Sequence, residues 1–465
     1  MLQNSKITHL SLFALVMLIT GAIDSIRNLP ATALFGHSLI FFFIFSAIVF
    51  LIPTALVSAE LSSTWPEKSG IYQWVKLAFG KNVAFLAIWL QWINTIVWYP
   101  TILSFIAGTA AYLINPALAE NKLYLVSVII STFWLLTLIN LKGIHTSAKF
   151  ASFCAVIGML IPMGLIIFLA IIWVIMGKPL QITLNANSLI PSLHDSANWL
   201  SLTAIMTSFL GVELATVHVN KIHNAQKNFP KAIFISTLFI LFTMILGSLA
   251  IAIVLPQQKI SLVNGVMQAF TNFFAVYHLS AITPLMTLLL LIGSLGGIIN
   301  WIISPAKGLL QAAHDGFLPA FLKKENQHGI EQHLLIVQAI FVTLLCAAFL
   351  LMPSVNGSYW LLTALSTQLY MLMYVIMFLA AIRLKYKYPL QPRPFSIPGK
   401  KLGIWLISLL GLIGCSITLI VGFIPPNGIN VGSFQHYVTI FTLGMLGMIL
   451  PIIGFYIYKK VSTTA

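Results

Sequence analysis

Residues 21–30 read GAIDSIRNLP and place two ionisable side chains, Asp24 and Arg27, inside the first long apolar segment of the chain. A charge in the middle of a bilayer costs at least about 2.5–3.5 kcal/mol, so such a side chain normally faces a cavity, a partner or a substrate. Pro30 removes a backbone donor and Gly21 adds backbone freedom. The stretch therefore predicts a first membrane helix whose hydrogen-bond ladder opens between Gly21 and Pro30.

The sixth apolar segment repeats this combination. Residues 208–218 read SFLGVELATVH, in which Gly211 precedes the acidic residue Glu213 by two positions. Glycine permits a break in the helix there, which would leave a half-helix terminus facing a cavity. Interrupted helices at matching positions in the two halves of a membrane chain are typical of the substrate site of a secondary transporter. We therefore expect helices 1 and 6 to be discontinuous and to form such a site together.

The composition places the whole chain in a membrane. The 465 residues are 59% hydrophobic, only 7% are charged, and the mean hydropathy is +0.98, which excludes an ordinary soluble domain. We predict an all-α integral membrane protein that forms one transmembrane domain over residues 1–465, without room for a soluble catalytic domain. The twelve predicted spans lie near 10–35, 38–60, 84–114, 123–141, 150–176, 197–220, 230–254, 277–305, 334–353, 359–383, 402–424 and 436–458.

The matching breaks also predict the organisation of these spans. Two five-helix repeats of inverted topology would cover residues 8–176 and 197–383, and two additional helices would follow over 402–460. We see the matching interruptions in the two halves, without sequence identity between them. The stretch 258–273 is too short to cross the bilayer, so it is interpreted as a surface helix or lid on the outer side.

The net charge of +15 reflects orientation rather than a nucleic-acid partner. If both termini are cytoplasmic, nearly all lysines and arginines fall in inner loops, and the outer loops hold only Lys122, Lys178 and Lys259. This asymmetry is the positive-inside rule, and it favours an even number of spans. We expect a multi-pass protein of the cell membrane, a bacterial inner membrane, whose first helix is retained rather than cleaved as a signal peptide.

No pattern in the chain indicates catalysis or a cofactor. The three cysteines, Cys154, Cys346 and Cys415, fall within spans, and their spacing fits neither a metal site nor a disulfide framework. No nucleophile–base triad, phosphate-cradling glycine loop or zinc spacing is present. We therefore expect no enzymatic activity, no cofactor and no bound metal.

Asp24 and Arg27 have two interpretations. If the helix opens, Arg27 is a carboxylate anchor, because its planar guanidinium suits bidentate contact, and Asp24 is an ammonium contact or a proton site. If the helix stays closed, the two side chains are three residues apart on one face and neutralise each other, or Arg27 pairs with Glu213. Only the first interpretation involves a ligand.

Glu213 is the candidate for proton coupling. A carboxylate removed from water binds a proton more readily, which would let Glu213 exchange protons under mildly acidic conditions. The alternative is a glutamate that only accepts hydrogen bonds from the backbone freed at Gly211.

Further candidates for the substrate site are aromatic and polar. Tyr370 and Tyr374 are four residues apart and share a helix face, and Gln91 and Trp301 lie in polar-aromatic stretches with Asn94, Trp98, Tyr99 and Asn300.

Several motifs resemble those of the amino acid–polyamine–organocation (APC) superfamily. Residues 53–61 (PTALVSAEL) and 65–74 (WPEKSGIYQW) resemble the loop after its helix 2, and residues 211–213 with 224–232 (NAQKNFPKA) resemble its helix 6 and the loop that follows. Within the superfamily, the chain is most similar to bacterial glutamate/γ-aminobutyrate antiporters. That similarity is carried by GVE at 211–213, HVN at 218–220, GVMQAFT at 265–271, FSIPG at 395–399 and FIPP at 423–426.

This resemblance implies a five-plus-five inverted-repeat (LeuT-like) fold and puts Glu213, Tyr370 and Tyr374 on positions of the antiporters' transport path. Other positions differ, since Arg27 and Gln91 replace tyrosines of helices 1 and 3. A glutamate of helix 8 is replaced by Gly297. A site that gains an arginine and loses an acid need not accept the same substrates.

The sequence thus predicts a secondary active amino acid transporter that works by alternating access, as an antiporter of the glutamate/γ-aminobutyrate type. The alternatives are a proton-coupled symporter or, from another class, a channel or a membrane sensor. The expected partners are small amino acids, protons and membrane lipid, without nucleic acid, in a monomer or homo-oligomer. The predicted site consists of Asp24, Arg27, Gln91, Gly211, Glu213, Trp301, Tyr370 and Tyr374.

Overall fold

The structure is a computed structural model that describes residues 11–68, 70–143, 153–154, 156–182, 199, 201–216, 224–313, 315–426 and 428–464. These residues form helices joined by short connections, and an isolated bridge between Glu325 and Glu331 is the one β-type pairing among them. The α-helices are α1 (Leu12–Ile23), α2 (Leu29–Ala33), α3 (Leu39–Ser46), α4 (Ile52–Thr64), α5 (Ile71–Phe79), α6 (Lys81–Ala110), α7 (Lys122–Leu141), α8 (Ile161–Ile175), α9 (Ser201–Ser208), α10 (Val212–Thr216), α11 (Ala225–Val254), α12 (Gly265–Val276), α13 (Thr283–Ala313), α14 (Gln332–Leu345), α15 (Ala348–Leu351), α16 (Val355–Lys387), α17 (Lys400–Val421), α18 (Phe434–Ile449) and α19 (Pro451–Thr464).

Shorter helical turns extend or connect these helices. π-helical turns join α3 to α4 and precede α8, at Ala47–Leu51 and Val156–Leu160. The 3₁₀ turns lie at Ile26–Asn28, Gly36–Ser38, Pro66–Lys68, Ala111–Leu113, Pro116–Glu120, Gln257–Lys259, Ser280–Ile282 and Ala320–Lys323.

Ten helical stretches in the described part of the chain are long and apolar enough to cross a membrane. They correspond to ten of the twelve predicted spans, and the two remaining predictions are spans 1 and 6. Both of these are divided into shorter pieces, so neither reaches the length of a continuous spanning helix. The ten stretches are Gly36–Thr64, Lys81–Leu113, Lys122–Leu141, Val156–Ile175, Gln226–Val254, Ser280–Ala313, Gln332–Leu351, Val355–Lys387, Lys400–Val421 and Phe434–Val461.

The first apolar segment is interrupted between α1 and α2. Helix α1 ends at Ile23, Asp24 and Ser25 are not helical, and a 3₁₀ turn leads into α2. Pro30 lies in the first turn of α2, where its missing N–H costs nothing. The break therefore lies between Gly21 and Pro30, as predicted, with Gly21 in the last turn of α1.

The sixth segment is interrupted between α9 and α10. Helix α9 ends at Ser208, and the backbone turns through Gly211, whose φ of +95° is readily available only to glycine. Helix α10 then begins at Val212, so Glu213 lies in its first turn. Residues 217–223, which include the predicted end of this span, lie outside the described residues.

Helix α11 connects the two pieces of the broken first segment. The Ser236 hydroxyl donates to the Val16 carbonyl of α1 at 3.2 Å, and the hydroxyls of Ser248 and Thr32 of α2 are 2.6 Å apart. Between these contacts, the Thr243 hydroxyl donates to the Asp24 carboxylate at 2.8 Å. Three side chains of one helix therefore hold α1, the break and α2.

Helix α12 lies where the predicted lid was placed, in the stretch between the seventh and eighth spans, and its apolar face is buried. Its N-terminal Gly265 packs closely against Pro30 of α2. The preceding loop is attached to the start of α16, because Asn356 accepts a hydrogen bond from the Leu262 amide at 2.8 Å and donates to the Ile260 carbonyl at 3.0 Å. Gln268 bonds the same loop from within, through the Ser261 amide at 2.9 Å.

Ionic contacts join the helix ends on the side that the positive-inside pattern predicts to be cytoplasmic, away from α12. Glu60 of α4 accepts from the Lys385 ammonium at 2.6 Å, from Arg393 Nε at 3.1 Å and from the Ile397 amide at 2.7 Å. The carboxylate and the lysine are both buried. This Glu60 cluster holds the loop after α16 against α4.

A second ionic contact is formed by Asp315, which follows α13. Asp315 accepts from Lys76 and Tyr72 of α5 and from Lys81 at the start of α6, the last at 2.9 Å. Burial raises the pKa of the Asp315 carboxyl, but the hydrogen bonds from Lys76, Tyr72 and Lys81 outweigh it and hold this pKa below its usual range. Asp315 is therefore an anion at every physiological pH.

Candidate substrate site

A cavity of about 220 Å³ lies between the two interrupted segments. The non-helical residues of both breaks line it, and α6, the turn before α8, α13 and α16 supply the other walls. Polar groups and aromatic rings alternate around it, as is usual for a small-molecule site. The polar and charged lining residues are Asp24, Ser25, Arg27, Asn28, Asn94, Thr95, Thr207, Ser208, Ser294 and Ser366, and the aromatic ones are Trp98, Phe105, Trp301 and Tyr370.

Asp24 contributes a buried carboxylate to this cavity. Only 3% of the residue is exposed, and Oδ2 accepts the hydrogen bond from Thr243. The other oxygen, Oδ1, has no hydrogen-bond partner of normal geometry among the described residues, although the Ser25 amide lies close enough to stabilise the carboxylate. Such an oxygen is costly to bury without a donor, so a cationic group entering the cavity would be stabilised there.

Arg27 contributes a guanidinium group that has no carboxylate partner among the residues the structure describes. Its Nε donates to Asn28 Oδ1 at 3.3 Å, and its Cζ lies 4.5 Å from the centre of the Trp98 ring. Within the described ranges, Arg27 forms no ion pair with Asp24 or Glu213. The interpretation in which these charges neutralise one another is therefore wrong. Its physical premise fails as well, because the helix is open between residues 24 and 27.

Glu213 lies behind the cavity, in a cluster of hydroxyl groups. Tyr370 donates to one carboxylate oxygen, which also accepts from Gln91 Nε2 at 3.3 Å, and Tyr374 donates to the other. The Tyr374 hydroxyl in turn accepts from the Gly211 amide at 3.0 Å. The alternative in which Glu213 binds only freed backbone is therefore incomplete, because side chains of α6 and α16 supply most of its described donors.

The structure brings the eight predicted site residues into two adjoining groups. Asp24, Arg27, Gly211, Trp301 and Tyr370 line the cavity. Gln91, Glu213 and Tyr374 do not. The Tyr370 hydroxyl connects Gln91 and Glu213 to the cavity by hydrogen-bonding both, and Tyr374 donates to the other carboxylate oxygen of Glu213. Tyr370 therefore connects the buried acid to the cavity.

Other lining residues were not predicted. Ser366 hydrogen-bonds the Asn94 side chain at 2.6 Å across the cavity wall. Ser366 precedes Tyr370 by four residues, so helical spacing could have placed it on the same face. Thr207 and Ser208, in contrast, carry no signal beyond their position before the break. Among the described residues, no group of three or more His, Cys, Asp or Glu side chains is arranged to hold a metal ion.

Comparison with known proteins agrees with a transport site. The family model described as amino acid permease matches residues 10–446. The chain belongs to this family. The resemblance to the APC superfamily is thereby confirmed, and the permease is 28% identical, over 98% of its chain and 92% of theirs, to two glutamate/γ-aminobutyrate antiporters of Lactococcus lactis strains.

Two further similarities cover nearly the whole permease. An uncharacterized transporter of Legionella pneumophila is 42% identical over 438 residues, which is 94% of each chain. A crystal structure of an Eremococcus coleocola manganese transporter superposes with a TM-score of 0.57 over 99% of both chains at 12% identity, which supports the fold alone. The family and these relatives are transporters, so the permease is a membrane transporter and not an enzyme.

Proposed function

We propose that this permease is a secondary active amino acid transporter, an antiporter of the glutamate/γ-aminobutyrate type that works by alternating access. The observation that carries the proposal is the pairing of two opposite, separately held charges in one cavity. Among the described residues, Arg27 has guanidinium N–H groups without a carboxylate partner, and Asp24 has a buried oxygen without a hydrogen-bond partner of normal geometry. A zwitterion, with one carboxylate and one ammonium group, satisfies both.

The proposed substrate orientation follows from these charges. The substrate carboxylate binds Arg27, its ammonium binds Asp24, and Trp301 and Tyr370 contact the carbon chain between them. Gly211 leaves room at the break of the sixth segment. The similarity to glutamate/γ-aminobutyrate antiporters supports amino acids as the substrate class, while the arginine at position 27 gives the site a carboxylate anchor of its own.

Proton coupling through Glu213 is the second part of the proposal. Its carboxylate is buried with 3% exposure, and its hydroxyl donors connect it to the cavity through Tyr370. A proton that reaches Tyr370 or the cavity water has a short route to Glu213. This arrangement also favours the second candidate function, a proton-coupled amino acid symporter, in which each substrate moves with one protonation of Glu213.

We further propose the architecture that such a mechanism requires. The ten continuous spans and the two interrupted ones would make twelve, arranged as inverted repeats over residues 8–176 and 197–383 with two additional helices over 402–460. Both termini would then be cytoplasmic, in a bacterial inner membrane. Interruptions in the first span of each repeat support this arrangement.

Flux in proteoliposomes at pH 5.5 and 7.5 tests the function. Vesicles loaded with one unlabelled amino acid are offered labelled glutamate, γ-aminobutyrate, arginine or a neutral amino acid. Uptake that requires internal substrate establishes exchange, whereas uptake into empty vesicles driven by a proton gradient establishes symport. Conduction without trans-stimulation would indicate a channel, and binding without flux would indicate a sensor.

Variants assign the roles within this assay. Arg27→Gln should strongly raise the half-saturation concentration of carboxylate-bearing substrates, and Arg27→Lys should restore the affinity only in part, because an ammonium cannot make the bidentate contact. Glu213→Gln should flatten the dependence of flux on pH. Transport that responds to pH as in the unmodified protein would exclude Glu213 as the proton site.

A further inference from the structure

We propose that Trp98 is a positioning residue that fixes the Arg27 guanidinium for a planar carboxylate and thereby makes the site selective for that group. The inference rests on the proposed function, in which Arg27 binds the substrate carboxylate. It concerns a residue of α6 that supplies no hydrogen bond to a substrate in this scheme. Its contribution is made through Arg27.

The placement of Arg27 leaves its terminal amino groups free for a ligand. The described hydrogen bond of this side chain is made by Nε to the neighbouring Asn28. In the described part of the protein, neither terminal amino group of Arg27 has a hydrogen-bond acceptor. An arginine without an acceptor would ordinarily be mobile, so something else must hold it.

Trp98 supplies that support. Arg27 Cζ lies over its ring at 4.5 Å from the centroid, within the range of a cation–π interaction. An arginine that rests on an aromatic face has its N–H groups in the plane of the guanidinium, directed past the ring edge. The ring contact uses none of the N–H groups in a conventional hydrogen bond, so they stay available to a carboxylate in the cavity that Arg27 and Trp98 both line.

Trp98 is itself fixed by neighbouring aromatic rings. Its ring centroid is 5.8 Å from that of Trp301 and 5.8 Å from that of Tyr99. The Tyr99 hydroxyl donates to the Trp301 carbonyl at 2.7 Å, and the Tyr99 ring lies 4.8 Å from Phe133 of α7. Helices α6, α7 and α13 thus contribute to one rigid platform under Arg27.

This arrangement explains how Arg27 can be held in place for a substrate carboxylate while its charge stays unpaired. A carboxylate in place of Trp98 would compete with the substrate for the same N–H groups. A tryptophan stabilises the cation and forms no hydrogen bond with those groups, since its indole nitrogen only donates. Selectivity follows, because a carboxamide can accept at only one oxygen and repels Arg27 with its own N–H groups.

The test compares carboxylate substrates with their carboxamides in proteoliposomes. Labelled L-glutamate, γ-aminobutyrate, L-arginine and L-leucine serve as transport probes, and the unlabelled acid and amide of the best one serve as competitors. Trp98→Leu should raise the half-saturation concentration of the acid by about 5- to 30-fold, the range expected for a cation–π contact removed from water. The inhibition constant of the amide should change by less than about twofold.

Two further variants separate positioning from general damage. Trp98→Phe keeps an aromatic face and should recover most of the affinity for the acid. Trp134→Leu is the matched control, since Trp134 lies on α7 and its indole binds Thr343 rather than the cavity. This control should leave the preference for acid over amide unchanged.

A double variant gives the decisive comparison. In the Arg27→Gln protein, adding Trp98→Leu should change the half-saturation concentration little, because Trp98 acts through Arg27. Equal losses for acid and amide in Trp98→Leu, or additive effects in the double variant, would overturn the inference while leaving the proposed function intact. Absence of transport of any probe by the unmodified protein would overturn both.

Discussion

Removal of the Glu60 carboxylate should destabilise the protein more than removal of any exposed ionic contact. In Glu60→Ala, the buried ammonium of Lys385 and the Arg393 guanidinium lose their shared anion, and the Ile397 amide loses its acceptor. Breaking a buried ion pair from one side costs about 3–5 kcal/mol, because the remaining charge stays buried without compensation. With two cations and an amide affected, we expect the upper part of that range.

The chain contains its own reporters for this measurement. Cys154, Cys346 and Cys415 are buried free thiols, so a thiol-reactive fluorophore detects unfolding of the detergent-solubilised protein as they become accessible. Glu60→Ala should lower the temperature of the transition strongly. Glu60→Gln, which keeps one acceptor oxygen without the charge, should give an intermediate shift.

Lys81→Ala is the matched control for this experiment. The Lys81 side chain is 55% exposed, and its partner Asp315 keeps Lys76 and Tyr72 as donors. Contacts of exposed ions contribute about 0–1 kcal/mol. If Glu60→Ala shifts the transition no more than Lys81→Ala does, the Glu60 cluster does not stabilise the fold in the way that its burial indicates.

Three other expectations are as specific. The stabilising effect of Asp315 depends on its ionised form, so the difference in stability between the unmodified protein and Asp315→Asn should be constant from pH 8 down to pH 5. It should shrink only as the pH falls below the ordinary carboxyl value of 3.8 toward the lower pKa of the folded state, and a loss already near pH 6 would refute this. Asn356→Ala should accelerate hydrogen exchange at the Leu262 amide by about 5- to 150-fold, since two bonds of about 0.5–1.5 kcal/mol each are lost. Gln268→Ala should instead affect the Ser261 amide, and an unchanged rate at Leu262 in Asn356→Ala would show that the attachment to α16 is unimportant. Tyr374→Phe should lower stability by about 1.5–3 kcal/mol, the range for a hydrogen bond to a charged group, whereas Tyr437→Phe, which loses a bond of 3.1 Å to the neutral Gly422 carbonyl, should cost about 0.5–1.5 kcal/mol. Equal losses would argue that the Glu213 carboxylate is not ionised in this cluster.

Local signals in the sequence were sufficient to locate the two interruptions. A charge in an apolar run, together with a proline or a glycine, disturbs a helix only within a few residues. The breaks at Asp24–Ser25 and Phe209–Gly211 lie beside such residues. The break lies between Gly21 and Pro30 as predicted, and Gly21 itself stays in the last turn of α1, since a glycine tolerates a helix as well as a break. Pro30 was informative for a different reason than expected, since it begins the second piece rather than ending the first.

Partners that are distant in the sequence were beyond prediction. Thr243, which binds Asp24, is 219 residues away and is one of many threonines in apolar helices. The alternative in which Asp24 pairs with Arg27 assumed a closed helix, and that pairing is absent because the helix is open between the two residues. The support of Arg27 by Trp98 likewise depends on how α6 packs beside the break, which no periodicity in either segment specifies.

The contacts of α11 have a consequence for motion during transport. Three side chains of α11 hydrogen-bond the interrupted segment in turn: Ser236 binds α1, Thr243 binds the break and Ser248 binds α2. Helix α11 therefore supports the segment along its length. A break held in this way cannot act as a free joint, because bending it would require three polar contacts, two of them buried, to separate together. Whatever rearrangement opens the cavity to one side, the two pieces of the first segment and α11 should travel as a single rigid arm, and the bending should occur where that arm joins the rest of the protein.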